Sequence, residues 1–218
     1  MFGWRMFQEN HSVEQVVAPS EVICFGAKWN DEKDVMFYSY WEHGYDGMFK
    51  AAYDLLSEAD AVVTFNGKRF DIPHLNNEFF KRGWPAPPKI TNIDLMQVAK
   101  TNFRFLSNKL QFISQYAGIG HKVEHEGFPL WLKVMQGSEL ARKRMERYCK
   151  QDVKLTEKLY FRMRSYIYNH PNFERRKHNC GEEHGRKRGF RYTTAFKIQR
   201  IRCNKCHGWF DGQKEKLT

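Results

Sequence analysis

The sequence predicts a layered α/β domain followed by a small, basic β tail. Three observations predict it. Short apolar runs of strand character alternate with helical periodicity through residue 170, the order of a sheet flanked by helices. Positive charge gathers beyond that point: residues 173–218 hold 13 Lys+Arg against 5 Asp+Glu, a net of +8, while the whole chain of 218 residues carries +11. Three of the five cysteines also fall in the last 40 positions. The expected organisation is a domain over 1–170 and a tail over 171–218.

The elements follow in order. Residues 21–29 (EVICFGAKW) and 34–41 (DVMFYSYW) read as two strands joined by a polar turn. Residues 46–59 place Met48, Phe49, Ala52, Leu55 and Leu56 at helical spacing. AVVTF at 61–65 is short and apolar, as a buried strand would be. A helix is expected over 72–82 with Gly83 as its stop, then a proline loop at 84–89 and a strand at 90–93. Helices at 95–100 and 106–117 precede the longest helical pattern, 138–168, which His170-Pro171 closes.

Composition narrows the function classes. At 41% hydrophobic residues, with 18 Phe, 10 Tyr and 6 Trp, the chain has material for a packed core and is not a disordered polymer. No apolar run approaches the roughly 20 residues of a membrane span. The opening MFGWRMFQEN has no charged region leading into an apolar one, so a secretory signal is not expected and a cytoplasmic location is. An odd cysteine count clustered near one end suggests a local metal site rather than a disulfide framework. The basic tail suggests a polyanion partner, nucleic acid first among them.

Two carboxylates occupy unusual settings. Asp71 follows the buried strand in Phe65-Asn66-Gly67-Lys68-Arg69-Phe70-Asp71-Ile72-Pro73, at the mouth of the next helix. Ligands of open α/β sheets bind outside the carboxyl ends of strands. The competing reading is an N-cap, a role that Asp favours and that Pro73 in the first turn suits. Asp152 lies in the longest helix. On a 3.6-residue period it shares a stripe with Ala141, Met145, Tyr148, Leu155, Leu159 and Met163, while Lys150, Lys154 and Lys158 fall opposite. A carboxylate on a buried face costs several kcal/mol unless it is paired or holds a metal. The readings are therefore an ion pair with a Lys or Arg elsewhere, or a metal ligand with the Tyr148 phenol one turn away.

These residues carry a family resemblance. Asn66-x3-Phe70-Asp71-x-Pro73 resembles the second motif of the DnaQ-like (DEDD) 3′–5′ exonucleases, and Tyr148-x3-Asp152 is similar to the third motif of their tyrosine subclass. Asn92-Ile93-Asp94-Leu95 and Gly127-Phe128-Pro129-Leu130-Trp131 resemble connecting segments of phage-type and YprB-like members. The resemblance implies a ribonuclease-H-like mixed sheet with flanking helices. It also implies two divalent ions, Mg²⁺ or Mn²⁺, that clamp the attacking and leaving oxygens of a phosphodiester. Asp71 and Asp152 would be metal ligands, Tyr148 would position the attacking water, and Asn66 would support the site. DNA or RNA with single-stranded ends would be the substrate, with replication or repair proteins as further partners and no membrane. Lys68 and Arg69 would touch phosphate or stand in solvent.

One departure stands out. The family's first motif, Asp-x-Glu on a central strand, is not found before residues 21–29, and that strand is expected to be missing with it. Its neighbours would then lack backbone partners. A start assigned too far downstream is preferred to a true truncation that binds without cutting and to a strand supplied by another polypeptide, because the rest of the sequence is well formed. The implied activity is accordingly a 3′–5′ exonuclease, inactive as written, or a non-catalytic nucleic-acid-binding module.

The tail holds a Cys-x2-Cys knuckle, Cys203-Asn204-Lys205-Cys206, after a stretch at 191–202 (RYTTAFKIQRIR) that reads as hairpin strand. A zinc ribbon needs four N/S ligands. Cys180 offers a third, and His184 or His178 a fourth, with His184 preferred because three intervening residues let the chain turn back. A segment this short has too little core to fold without such a staple. Arg186, Arg188 and Arg191, interleaved with aromatic residues and Trp209, suit single-stranded nucleic acid. Asp94 is expected to cap a helix, His121 and His125 to lie in a solvated loop, Cys24 to sit in strand core and Cys149 on a helix flank.

Overall fold

The computed structural model describes residues 21–30, 32–88, 90–123, 126–168, 170–171, 184–192, 196–205 and 207–216. The chain divides into two compact units, Met1–Tyr166 and Ile167–Thr218.

In the first unit, β1 (Cys24–Ala27) pairs antiparallel with β2 (Met36–Ser39), Cys24 opposite Ser39. β3 (Ala61–Thr64) pairs parallel with β4 (Thr91–Asp94), Thr64 opposite Asp94. Parallel strands need a crossover, and α2 (Asp71–Lys81) supplies it. Among the described residues, no backbone ladder joins the β1–β2 pair to the β3–β4 pair.

One helix spans both halves. α6 (Glu139–Met163) packs on β1, β2 and β3. Its expected stripe holds: Ala141, Met145, Leu155, Leu159 and Met163 are buried, and Tyr148 and Asp152 are half-buried. Gly26 lets β1 approach it, since a Cβ there would lie 3.1 Å from Val153. Lys28, just past β1, pairs with Glu157 on α6. Cys149 is no helix flank. It packs against the cluster of Ile23, Leu130, Val134, Ala141 and Met145, with its Sγ 3.8 Å from that of Cys24. That hydrogen bond, then burial, raise its thiol pKa well above the usual range.

Several elements differ from expectation for local reasons. α1 (Tyr40–Glu58) begins six residues before the predicted start, taking Tyr40 and Trp41 out of the second strand. Gly44, at φ 67°, kinks it and lets Tyr40 stack on Tyr45 at 5.1 Å. α4 is only Leu110–Tyr116, and Leu106 is 95% exposed, so burial gives no reason to extend the helix back to it. α3 (Leu95–Asn102) matches its expected position. α5 (Phe128–Met135) lies where no helix was predicted; Gly127 at φ 75° turns the chain into it and Pro129 sits in its first turn. Arg82 staples α1 to α2, with Nε 2.9 Å from Asp46, Nη1 2.6 Å from Glu78 and its guanidinium over the Phe49 ring. A 3-10 turn, Arg164–Tyr166, ends the unit.

The second unit is a three-stranded antiparallel sheet in the order β5 (Gly185–Tyr192), β6 (Phe196–Cys203), β7 (Trp209–Lys216). The stretch 191–202, read as hairpin strand, holds the end of β5 and most of β6, which pair antiparallel with Tyr192 opposite Lys197. Ile198, Cys203 and Phe210 are its buried residues among those described.

Candidate nucleic-acid site

The carboxyl ends of β3 and β4 are tied together by one side chain. Asp94 ends β4, is 4% exposed and caps α3 by accepting from the Met96 N–H at 3.0 Å. The same carboxylate reaches back to the loop after β3, accepting from the Asn66 N–H at 2.9 Å and the Lys68 N–H at 3.2 Å. The expected cap is thus also a clamp across the strand ends. It holds Asn66 at φ 68°, a left-handed conformation that Asn tolerates better than most residues. Gly67 follows, where a Cβ would fall 2.5 Å from the Thr64 side chain, so no other residue fits. The Asn66 carbonyl accepts from the Arg69 and Phe70 N–H groups, and the Gly67 carbonyl from Ile72. Asn66 therefore supports the turn through its backbone. Lys68 and Arg69 are exposed at its rim.

This turn delivers Asp71 to the first position of α2. Phe70 occupies the cap position without any side-chain cap bond, so Asp71 is not the N-cap. The residue is exposed, yet its carboxyl pKa is raised. Desolvation is the main cause and Asp94 adds repulsion, while its own N–H and His74 pull the other way.

The second set lies on α6. Tyr148 and Asp152 share one face as expected, and a lysine from the loop before α5 meets both. Lys122 Nζ is 2.6 Å from Asp152 Oδ2 and 3.2 Å from Tyr148 Oη, and it sits 4.9 Å from the Tyr148 ring centroid. Trp131 on α5 packs edge-on against Tyr148 at 5.9 Å. Burial alone would lower the Lys122 pKa, but Asp152 and Tyr148 outweigh it and the net shift is upward. Burial and then Asp152 raise the Tyr148 phenol, against Lys122. Of the two readings of Asp152, the ion pair is formed. Sequence reasoning missed Lys122 itself, because a lysine in an aperiodic loop carries no signal. The unmet charge on the buried stripe was the only pointer to it.

An ammonium already holds Asp152, and the charges acting on Asp71 are those of His74 and Asp94. Among the described residues no three His, Cys, Asp or Glu side chains gather where an ion could sit. Cys180 and Cys206 lie outside the described residues, as does His125. His184 and Cys203 are brought together: Gly185 pairs with Cys203, and the Asn204 N–H donates to the His184 carbonyl at 3.4 Å. Arg186, Arg188, Arg191 and Trp209 all lie exposed on the tail sheet.

The RNase_H superfamily model matches residues 14–164. The chain belongs to the ribonuclease H superfamily, and its first unit has that superfamily's mixed α/β character. Membership points to a nuclease-type or nucleic-acid-related function, in a superfamily whose nucleases typically use divalent metals. No curated protein matches the chain in sequence. No helix among the described residues is long and apolar enough to cross a membrane.

Proposed function

We propose that this protein grips nucleic-acid ends through an exonuclease-type fold of the DnaQ-like tyrosine subclass and binds them without cutting. The observation that carries this reading is the Lys122–Asp152 pair at 2.6 Å. A side-chain cation stands on the carboxylate that would otherwise face a metal ion, and it also touches Tyr148. Substrate phosphate would meet Lys68 and Arg69, exposed beside the β3–β4 strand ends. A second reading, active 3′–5′ exonuclease with Asp71, Asp152 and Tyr148 as its site, draws on the placement of Tyr148 and Asp152 one turn apart on one face.

The test separates the two. Pure protein is mixed with 5′-labelled single-stranded DNA or RNA, with Mg²⁺, with Mn²⁺ and with chelator. The binding reading expects a shifted but intact oligonucleotide under all three conditions. A ladder shortening from the 3′ end, dependent on the metal, would establish the exonuclease reading instead. For the tail we propose one structural zinc, held by Cys180, His184, Cys203 and Cys206. Metal analysis should find about one zinc per chain, lost in Cys203→Ser. An intact tail in a metal-free protein would refute it.

A further inference from the structure

The tail sheet has two chemically different faces. β6 is its central strand, and Arg202 stands directly opposite Arg186 on β5 and Trp209 on β7. These three residues form one cross-strand row. Arg200, two residues along β6, shares the face and lays its guanidinium 4.2 Å from the Trp209 ring centroid. Lys187, Ile201 and Phe210 form the matching row on the other face, where Lys197 lies over the Phe190 ring.

Like charges directly opposite each other in a sheet are destabilising. Arg186 and Arg202 are such a pair, and both residues are exposed. Among the described residues, the one acid on this face does not relieve it. Asp211 is taken by Arg191, with Nε at 3.2 Å and Nη2 at 2.5 Å. Among the described residues Arg186, Arg200 and Arg202 have no carboxylate partner; Arg202 donates only to the His207 carbonyl. Folding gives no reason for this arrangement. An external anion does.

We infer that the Arg186–Arg202–Trp209 row, with Arg200, is a single-stranded nucleic-acid-binding surface. The arginines neutralise successive phosphates, and Trp209, 47% exposed, offers an indole face on which a base stacks. An aromatic platform between guanidinium groups suits an unpaired base, because a duplex keeps its base faces covered. Arg191, named with the others from the sequence, is instead a structural clip to Asp211. The inference deepens the proposed function by giving the chain a second binding surface, outside the matched region, for the same class of ligand.

The experiment uses the full chain and fluorescence anisotropy with labelled 12-nucleotide poly-dT, poly-rU and a duplex, over a salt series. Arg186→Gln/Arg202→Gln should weaken single-strand binding at least 10-fold and reduce the log–log salt slope by about 0.7 for each phosphate no longer neutralised. Trp209→Ala should cost about 10-fold with little change of slope. Lys187→Gln/Lys197→Gln removes the same charge from the opposite face and should change affinity less than 3-fold. Equal losses in the two double variants would mean bulk charge alone and overturn the inference, as would tighter binding of duplex than of single strand. Removing a like-charge pair relieves the sheet, so unchanged circular dichroism is expected in the arginine variant. Should that variant unfold, Trp209→Phe, which keeps a stacking ring, must bind within 3-fold of wild type while Trp209→Ala does not; equal affinities overturn the inference. Normal binding by every tail variant, with loss in Lys68→Gln/Arg69→Gln, would sink this surface and leave the proposed function standing. No binding by the wild type would sink both.

Discussion

Asp94 and Asp152 are both carboxylates placed against the interior, and they are satisfied in opposite ways. Asp94 is 4% exposed and held by three backbone N–H groups from two separate segments. Asp152 is half-buried and is met by the Lys122 ammonium. Backbone donors are fixed by the fold, so a carboxylate they surround is part of the architecture. A lysine on a loop can move away, so the carboxylate beneath it can exchange one cation for another. The comparison makes Asp94 part of the architecture and leaves Asp152 with a partner that can be displaced.

The largest effect should follow from breaking the clamp. Asp94→Ala removes a helix cap and leaves two further N–H groups without their acceptor. Loss of the cap costs about 1 kcal/mol and each buried, unmet donor about 1–3 kcal/mol. A loss of roughly 3 kcal/mol or more is expected in urea unfolding. Asp94→Asn, which keeps one acceptor oxygen, should lose less than half of that. A near-silent Asp94→Ala would show that water replaces the carboxylate and that the strand ends are not clamped.

How far this was legible from the sequence depends on the range of each interaction. The stripe Ala141, Met145, Leu155, Leu159 and Met163 declares itself by period, and all five are buried. β3 declares itself as a short apolar run, while β4, Thr91–Asp94, is mostly polar and is marked only by its place between the proline loop and the next helix. The cap role of Asp94 is local, since Met96 lies two residues away, but its bonds to Asn66 and Lys68 span 28 and 26 residues and leave no pattern. Lys122 reaches Asp152 from 30 positions away for the same reason: the buried charge was legible, its partner was not. Asp71 lies a single residue past the cap position, and that residue decides between a cap and a first-turn role.

The second effect tests the exchangeable pair. Lys122→Met leaves the Asp152 charge without the ammonium beside it in a half-buried site. About 1–2 kcal/mol of stability should be lost, less than for a fully buried pair because solvent still reaches it. Lys122→Met/Asp152→Asn should recover most of this, giving a coupling of about 1 kcal/mol in a double-mutant cycle. Lys122→Met should also make added Mg²⁺ or Mn²⁺ raise the melting temperature more than it does for wild type, since the carboxylate then lacks its competing ammonium. Additive single variants would mean the pair is only a surface contact, and the contrast with Asp94 would dissolve.

The smallest effect concerns Asp71, which stands between the two cases: acidic and at a strand end, but without the backbone clamp of Asp94 or the ammonium of Asp152. Its carboxyl pKa is raised, mainly by desolvation. For a group whose folded pKa lies above its unfolded value, the stabilising contribution is present below the unfolded pKa, about 3.9 for Asp, and is lost as pH rises through the folded value. Near neutrality the ionised side chain is therefore a mild liability, offset by the favourable field at the first turn of α2. Asp71→Asn should unfold within about 0.5 kcal/mol of wild type at pH 7, on the more stable side. The difference should narrow as the solution is acidified towards the titration of Asp71. The same substitution removes a negative charge beside Lys68 and Arg69, so oligonucleotide binding should tighten a few-fold. A marked loss of stability at pH 7, with no change in binding, would make Asp71 a structural residue of the same kind as Asp94 and remove it from the proposed nucleic-acid face.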